Sequence, residues 1–182
     1  MRIELRMSGV GGQGIVTMGY VIGTAAALYD KKDVIMTEAY GPEITGGWSR
    51  ADVIISDMDI DYPLIDNPDV LMVMSQQGWE QNCSSVKKGG LVLYQEGFVD
   101  VGKVVSKKCI SIPAIQIADE LGQRIVSNVV MMGAFQEITK IITKNALQKS
   151  LKKRIPKSTE ELNMAALKRG YQIGKAVGGW SP

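Results

Sequence analysis

Four glycines lie within residues 7–16, MSGVGGQGIV, and they constrain the fold more than any other part of the chain. Gly9, Gly11 and Gly14 fit the pattern G-x-G-x-x-G, and Gly12 adds a further glycine. The residues before them alternate between charged and apolar side chains, which predicts a strand. The residues after them are small and apolar without proline, which predicts a helix. A strand that enters a helix through glycines is typical of the phosphate-binding turn of an α/β domain.

The order of predicted elements indicates an α/β fold. Residues 34–37 predict a second strand, so the chain opens with a Rossmann-like β-α-β unit. Further strands are predicted at residues 51–56, 70–74, 91–94 and 109–112, and helices at residues 14–29, 77–86, 115–122, 128–142, 145–153 and 159–175. Ser158 and Glu161 fit a capping box at the start of the last helix. We expect one domain over residues 1–182, with three α/β/α layers and a largely parallel sheet.

Composition excludes several kinds of chemistry. The chain has 182 residues, no histidine and two cysteines, Cys83 and Cys109. Without histidine no Ser-His-Asp or Cys-His pair can form, and two separate cysteines cannot bind an iron–sulfur cluster or a four-cysteine zinc ion. We therefore predict no catalytic residue and no metal ligand in this chain. The apolar runs are too short to cross a membrane and no signal peptide is visible, so we expect a cytoplasmic protein without a membrane partner.

Charge adds one open question. The net charge is +2, which gives no reason to expect nucleic-acid binding. Residues 140–169 nevertheless contain nine Lys or Arg against two Glu. We interpret this stretch as the solvated face of the last helices. The alternative is a non-catalytic module that binds a polyanion through residues 149–157.

The first glycine loop is compatible with three interpretations. It can be a plain turn without a ligand, a cradle for another phosphate, or the fingerprint of a free-standing NAD(P)-binding oxidoreductase. The last interpretation uses Gly9, Gly11 and Gly14 for the pyrophosphate and Glu38, at the end of the second strand, for the ribose. Two features oppose it: Gln13 places a long polar side chain at the helix start, and a second glycine-rich loop follows Glu38.

The two glycine-rich loops and several later motifs occur in the order found in one known protein family. The motifs are Gly9-Val10-Gly11-Gly12-Gln13-Gly14, Tyr40-Gly41-Pro42-Glu43, Gly46-Gly47-Trp48-Ser49, residues 118–122, Asn128, Gly133-Ala134, and Asn163, Ala166 and Gly170. In this order the chain resembles the gamma subunit, or fused gamma domain, of the 2-oxoacid:ferredoxin oxidoreductases. One position departs from the family pattern. Thr45 stands where the family usually has arginine before the glycine pair, and Arg50 is the next arginine along the chain.

The resemblance implies one subunit of a larger enzyme. The family decarboxylates a 2-oxo acid on thiamine diphosphate, passes electrons through iron–sulfur clusters to ferredoxin, and transfers the acyl group to coenzyme A. We expect 2-oxoglutarate as the 2-oxo acid. Thiamine diphosphate, Mg and the clusters are expected in partner alpha and beta subunits and a ferredoxin-like delta subunit, since this chain lacks the residues for them. A homodimer is expected when the chain is isolated.

The resemblance also implies where a ligand binds. The helix start behind the first loop is expected to contact the pyrophosphate of coenzyme A, or to shape the lid of the active site. For Glu43 two roles are open: a carboxylate aimed at a cofactor or a partner chain, or a turn residue that accepts hydrogen bonds from nearby amides. The expected cofactor-binding residues are Gly9, Gly11, Gly12, Gln13, Gly14, Tyr40, Gly41, Pro42, Glu43, Gly46 and Gly47.

Overall fold

The computed structural model describes residues 1–43, 46–103 and 106–181. The strands are β1 (Arg2–Val10), β2 (Asp33–Tyr40), β3 (Trp48–Ser56), β4 (Val70–Val73), β5 (Leu91–Gln95) and β6 (Lys108–Ile112). The helices are α1 (Ile15–Thr24), α2 (Gln76–Asn82), α3 (Ala114–Glu120), α4 (Ser127–Thr139), α5 (Lys144–Arg154) and α6 (Glu160–Val177). Among the described residues, no helix is long and apolar enough to span a membrane.

The strands form one sheet in the order β2-β3-β1-β4-β5-β6. β1, β4, β5 and β6 are parallel, while β3 is antiparallel to both of its neighbours, β1 and β2. The predicted α/β class and largely parallel sheet are confirmed. The β1-α1-β2 unit resembles a Rossmann unit in that its two strands point the same way. It differs in that the two strands are not adjacent, since β3 lies between them. β3 returns from β2 as the second strand of a hairpin and pairs on its other edge with β1.

Helices cover both faces of the sheet, but unequally. Alternate side chains of β1, namely Ile3, Leu5 and Met7, point toward the face covered by α1 and α4 and belong to the large core. On the opposite face Leu71 and Val73 of β4 pack with Trp79 of α2 in a smaller core. The three-layer arrangement is therefore present, with α1 and α3 to α6 on one side and the short α2 on the other.

α4 and α6 pack closely through glycines. A Cβ atom on Gly170 would overlap the Val130 carbonyl oxygen, and one on Gly133 would overlap the Leu167 carbonyl oxygen. A Cβ on Gly174 would lie 2.9 Å from the Ala134 carbonyl oxygen. The small residues in these two helices thus allow their backbones to touch, and they contribute packing rather than ligand contacts.

The first and the last predicted helix differ in detail from those observed. Ser158 lies in a 3-10 turn, Lys157–Thr159, and the N-cap Thr159 makes no side-chain cap hydrogen bond, so the predicted capping box is wrong. The acidic first turn of α6, Glu160 and Glu161, stabilises the helix start through the helix dipole instead. The long first helix is also divided, because α1 passes at Ala25–Tyr29 into a π-helical turn.

Candidate functional site

The direction of β3 brings the two glycine-rich loops together. The loop after β1 and the loop after β2 lie at the carboxyl ends of their strands, and antiparallel β3 begins at the same end. Between the loops lies an open cleft of about 550 Å³. It is lined by Gly11, Gly12, Gly14, Ile15, Val16, Thr17, Tyr40, Gly41, Glu43, Gly46, Gly47, Trp48 and Ser49.

Eight of the predicted site residues line this cleft, and three do not. Gly9, Gln13 and Pro42 are absent from its lining. Gln13 turns inward: its side chain accepts a hydrogen bond from the Val10 N–H at 2.8 Å and donates one to the Met74 carbonyl oxygen at 3.0 Å. A Cβ on Gly9 would overlap the Gln13 Oε1 atom. Gly9 and Gln13 therefore hold the loop in shape from below.

The start of α1 has backbone donors without acceptors. Its N-cap, Gly14, has φ of 70° and no side-chain cap. Among the residues that the structure describes, none accepts a hydrogen bond from the backbone N–H of Gly12, Gly14, Ile15, Val16 or Thr17. Such donors at the positive end of a helix dipole suit an anion such as phosphate.

Asn128 fixes Gly14 from the side of α4. Its Nδ2 atom donates to the Gly14 carbonyl oxygen at 3.4 Å, and a Cβ on Gly14 would overlap that same nitrogen. Asn128 is 6% exposed. Asn128 thus fixes the position of the residue that precedes α1. The sequence near Gly14 cannot predict this contact, because Asn128 lies 114 residues further along the chain.

In the described part of the two loops, a backbone hydrogen bond ties the second loop to the first. The Gly11 N–H donates to the Gly47 carbonyl oxygen at 2.8 Å, and the Gly41 N–H donates to the Trp48 carbonyl oxygen, also at 2.8 Å. Thr45, the departure from the family pattern, lies outside the described residues. Arg50 does not replace the missing arginine in the cleft, because its Nε lies 3.6 Å from Asp52 Oδ2 on the opposite face of the sheet.

Glu43 lies between two glycines of its own loop. A Cβ on Gly41 would overlap its carboxylate, and one on Gly47 would lie 2.5 Å from its Oε2 atom. Within residues 1–43, 46–103 and 106–181 no donor hydrogen-bonds to this carboxylate, which is exposed toward the cleft. Residues 44 and 45, whose amides are closest along the chain, lie outside the described residues, so both roles of Glu43 stay predictions.

Tyr40 supplies a hydroxyl at the rim. Its side chain is 57% exposed. Partial burial raises the pKa of the Tyr40 phenol, and the neighbouring Glu38 carboxylate raises this pKa further. The Tyr40 hydroxyl group can both donate and accept a hydrogen bond at the edge of the cleft.

The geometry opposes the NAD(P) interpretation. Glu38 lies on β2, and β3 separates β2 from β1. Two strand spacings amount to about 9.6 Å, whereas in a dinucleotide-binding unit the strand with the ribose-binding carboxylate is next to the glycine strand.

The basic stretch is largely engaged within the chain. Arg154 lies over the Tyr20 ring at 5.0 Å, Lys149 over the Tyr29 ring at 5.8 Å, and Lys152 pairs with Glu160 at 2.8 Å. These contacts fit a solvated helix face better than a polyanion site.

Comparison with known proteins identifies the family. Residues 4–173 match the family described as pyruvate ferredoxin/flavodoxin oxidoreductase. The chain belongs to this family. It is 43% identical over 180 residues to the 2-oxoglutarate synthase subunit KorC of Methanocaldococcus jannaschii, covering 97% of this chain and 96% of the relative. It is 39% identical over 180 residues to the same subunit of Methanothermobacter marburgensis, covering 95% and 97%.

Solved structures of this family share the fold. The gamma subunit of a keto/oxoacid ferredoxin oxidoreductase from Geobacter sulfurreducens superposes with a TM-score of 0.88 at 31% identity, over 97% of this chain and 98% of that one. A 2-oxoglutarate:ferredoxin oxidoreductase from Magnetococcus marinus, solved with 2-oxoglutarate, coenzyme A and succinyl-CoA bound, gives 0.90 at 25% identity. This chain aligns along its whole length with 32% of that longer chain. The resemblance to the gamma subunit is confirmed, and the chain is a subunit of an oxidoreductase complex.

Five cleft residues were not predicted from the sequence. Ile15, Val16 and Thr17 follow the glycine loop, and Trp48 and Ser49 begin β3. The first three could have been found, because the first turn of any helix that binds an anion contributes its N–H groups. Trp48 and Ser49 face the cleft only because β3 lies next to β1, which no local pattern predicts.

Proposed function

We propose that this chain is the gamma subunit of a 2-oxoglutarate:ferredoxin oxidoreductase and that its cleft holds part of coenzyme A. The substrate proposal rests on the relatives named 2-oxoglutarate synthase, which align with nearly the whole chain. The coenzyme A proposal is supported by the Magnetococcus marinus enzyme, which was solved with coenzyme A and succinyl-CoA. The proposed partners are the alpha and beta subunits and a ferredoxin-like delta subunit.

The observation that carries the proposal is the row of backbone donors at the start of α1. The N–H groups of Gly12, Gly14 and Ile15 have no acceptor in the described part of the chain and adjoin a cleft of about 550 Å³. A pyrophosphate would accept from these groups at the positive end of the helix dipole. The bare Cα atom of Gly12 leaves room for it, since a Cβ there would meet nothing within 4 Å.

The other wall of the cleft suits a different part of the ligand. Glu43 presents a carboxylate and Tyr40 a phenol hydroxyl. A carboxylate repels phosphate but accepts hydrogen bonds from the hydroxyl and amide groups of coenzyme A. We place the pyrophosphate at the first loop and the hydroxyl or amide groups at the second.

The chemistry of bond cleavage and electron transfer would belong to the partners. Thiamine diphosphate supplies carbanion stabilisation and iron–sulfur clusters accept the electrons. This chain would bind coenzyme A, orient it, and exclude water from the cleft.

Replacement of Gly12 by aspartate tests the coenzyme A proposal. In the assembled complex, Gly12→Asp should raise the KM for coenzyme A by roughly tenfold, about 1.4 kcal/mol, because it places a carboxylate beside the pyrophosphate. The KM for 2-oxoglutarate should change much less. Gly12→Asn is the matched control, since Asn and Asp have similar size and tolerate the positive φ of Gly12, 90°, about equally.

The control separates charge from bulk. A coenzyme A KM that rises in the aspartate variant and stays near the wild-type value in the asparagine variant supports the proposal. If both variants keep the wild-type KM for coenzyme A, the first loop is a structural turn and the coenzyme A proposal fails.

A further inference from the structure

β2 forms an open edge of the sheet. Within residues 1–43, 46–103 and 106–181, β2 is the outermost strand on its side of the sheet and pairs with β3 alone. The Gly41 N–H donates to Trp48, its opposite residue, so odd-numbered residues of β2 hydrogen-bond to β3. On the other edge of β3, the Asp57 N–H donates to the Met1 carbonyl oxygen. Odd-numbered residues of β3 therefore hydrogen-bond to β1 and even-numbered residues to β2, which agrees with the pairing of β2. The backbone N–H and C=O groups of Val34, Met36 and Glu38 therefore point away from the sheet.

This edge lacks the usual protection against pairing. β2 has eight residues, DVIMTEAY, in an uninterrupted register with β3 and without Lys, Pro or Gly. Short strands, charged side chains (lysine above all), prolines and bulges are the features that normally keep edge strands apart, and of these β2 has only the carboxylates of Asp33 and Glu38. The opposite edge has several of them: β6 has five residues and begins with Lys108, whose side chain binds the Gly179 carbonyl oxygen.

We propose that the isolated chain forms a two-fold symmetric dimer in which β2 pairs antiparallel with β2 of a second copy, centred on Met36. In this register Met36 hydrogen-bonds with Met36 of the other copy, and Val34 with Glu38. Every outward backbone group of Val34, Met36 and Glu38 then has a partner in both copies.

A second copy fits this edge because the strand can face itself without bringing like charges together. A two-fold dimer uses the same surface on both chains, so the two copies must tolerate each other's side chains. Around Met36 no charged residue of β2 faces a like charge: Glu38 faces Val34, Asp33 faces Ala39, and Ile35 faces Thr37. The dimer would extend one sheet across both molecules and does not depend on the ligand of the cleft.

Cysteine cross-linking tests the register. In a Cys83→Ser, Cys109→Ser background, Met36→Cys places two thiols across the two-fold axis with Cα atoms about 5.5 Å apart, within the range of a disulfide. Val34→Cys is the matched control, because the two side chains have similar surroundings: Met36 packs over Gly19 of α1, and Val34 packs over Gly23 of the same helix. Val34 faces Glu38, so its own copy lies about 14 Å away along the strand.

Mild oxidation of the purified chain should link Met36→Cys into a covalent dimer and leave Val34→Cys monomeric on a denaturing gel. Cross-linking of neither variant, or of both to the same degree, overturns the proposal. Activity is not needed for this measurement, so its result stands apart from the coenzyme A proposal.

A backbone substitution tests the hydrogen bonds themselves. Glu38→Pro removes an outward N–H without breaking the pairing of β2 with β3, and Glu38→Ala keeps that N–H. By sedimentation equilibrium, Glu38→Pro should weaken the dimer at least about tenfold more than Glu38→Ala, because each dimer loses two hydrogen bonds. Equal dissociation constants for the two variants, or a wild-type chain that is monomeric at all concentrations, overturn the proposal.

Discussion

At the scale of single residues, the cleft depends on two side chains that are not part of its lining. Gln13 links Val10 to Met74, and Asn128 holds the carbonyl group of Gly14. Both contacts exist in the chain before anything binds. The proposed coenzyme A site would therefore be preorganised, which lowers the entropic cost of binding.

Gly14 should tolerate a methyl group much less well than Gly12. Both residues have positive φ, 70° and 90°, so an alanine at either position costs about 1–2 kcal/mol. At Gly14 the new Cβ would also overlap Asn128, which adds roughly 1–3 kcal/mol. Urea unfolding of Gly14→Ala and Gly12→Ala should show this difference in the free energy of unfolding.

Asn128→Ala provides the control for this comparison. In the Gly14→Ala background it should recover part of the lost stability, because the overlap is removed. A double variant as unstable as the sum of its single changes would show that Asn128 is not the obstacle.

The sequence predicted the contact residues of the cleft better than their supports. Glycines at a strand-to-helix turn are visible in the sequence, because glycine is the residue that such backbone conformations require. The resemblance places Gln13 among the cofactor-binding residues. Its hydrogen bond to Met74 could not be predicted, because Met74 lies 61 residues away and is brought close by the parallel pairing of β1 and β4.

At the scale of elements, the placement of β3 decides the site. Its pairing with β1 is reinforced by a buried ion pair, in which Arg6 Nε and Nη2 donate to Asp52 Oδ1 and Oδ2, both at 2.8 Å. The two side chains are 6% and 5% exposed. Arg6 also donates to the Ile65 carbonyl oxygen at 2.7 Å, so the segment after β3 is tied to the same pair.

Asp52→Ala should destabilise the chain by about 3–5 kcal/mol, because it leaves the Arg6 charge buried without its partner. The double variant Arg6→Met, Asp52→Leu should be far closer to the wild type, since it removes both charges. Asp119→Ala is the exposed comparison: Asp119 and Arg124 are 42% and 65% exposed, so the loss of this ion pair should destabilise the chain far less than Asp52→Ala does. Thermal unfolding of the three variants checks this order, which a stable Asp52→Ala chain would contradict.

The existence of each strand and helix followed from periodicity, whereas the order of the strands did not. A period of two identifies β1, and buried apolar runs identify β4 and β5. No local sequence pattern tells whether β3, the hairpin partner of β2, lies at the edge of the sheet or between β2 and β1. That choice is made by contacts between distant residues, such as Arg6 and Asp52, which lie 46 positions apart.

At the scale of the whole molecule, the chain is one part of a catalytic assembly. Its described residues include no group of three or more His, Cys, Asp or Glu placed to hold a metal ion. The cleft is formed by a single chain, but the proposed electron path runs through other subunits.

The purified chain should therefore show no oxidation of 2-oxoglutarate with coenzyme A, thiamine diphosphate and a viologen dye. Activity should appear only when the partner subunits are added, because the carbanion and redox chemistry needs their cofactors. Dye reduction by the chain alone, at a rate that follows its concentration through purification, would refute the subunit assignment.

The glycine contact between α4 and α6 also has a consequence during synthesis. Gly133 and Gly170 touch across the two helices but are 37 positions apart in the sequence. At about 5–20 residues per second, a ribosome needs roughly 2–7 seconds to add that segment. During this interval the side of α4 that packs against α6 has no partner, because α6 has not yet been synthesised. Glycine and alanine expose little apolar surface there, so the nascent chain offers chaperones and neighbouring chains less to bind than a leucine-lined helix would.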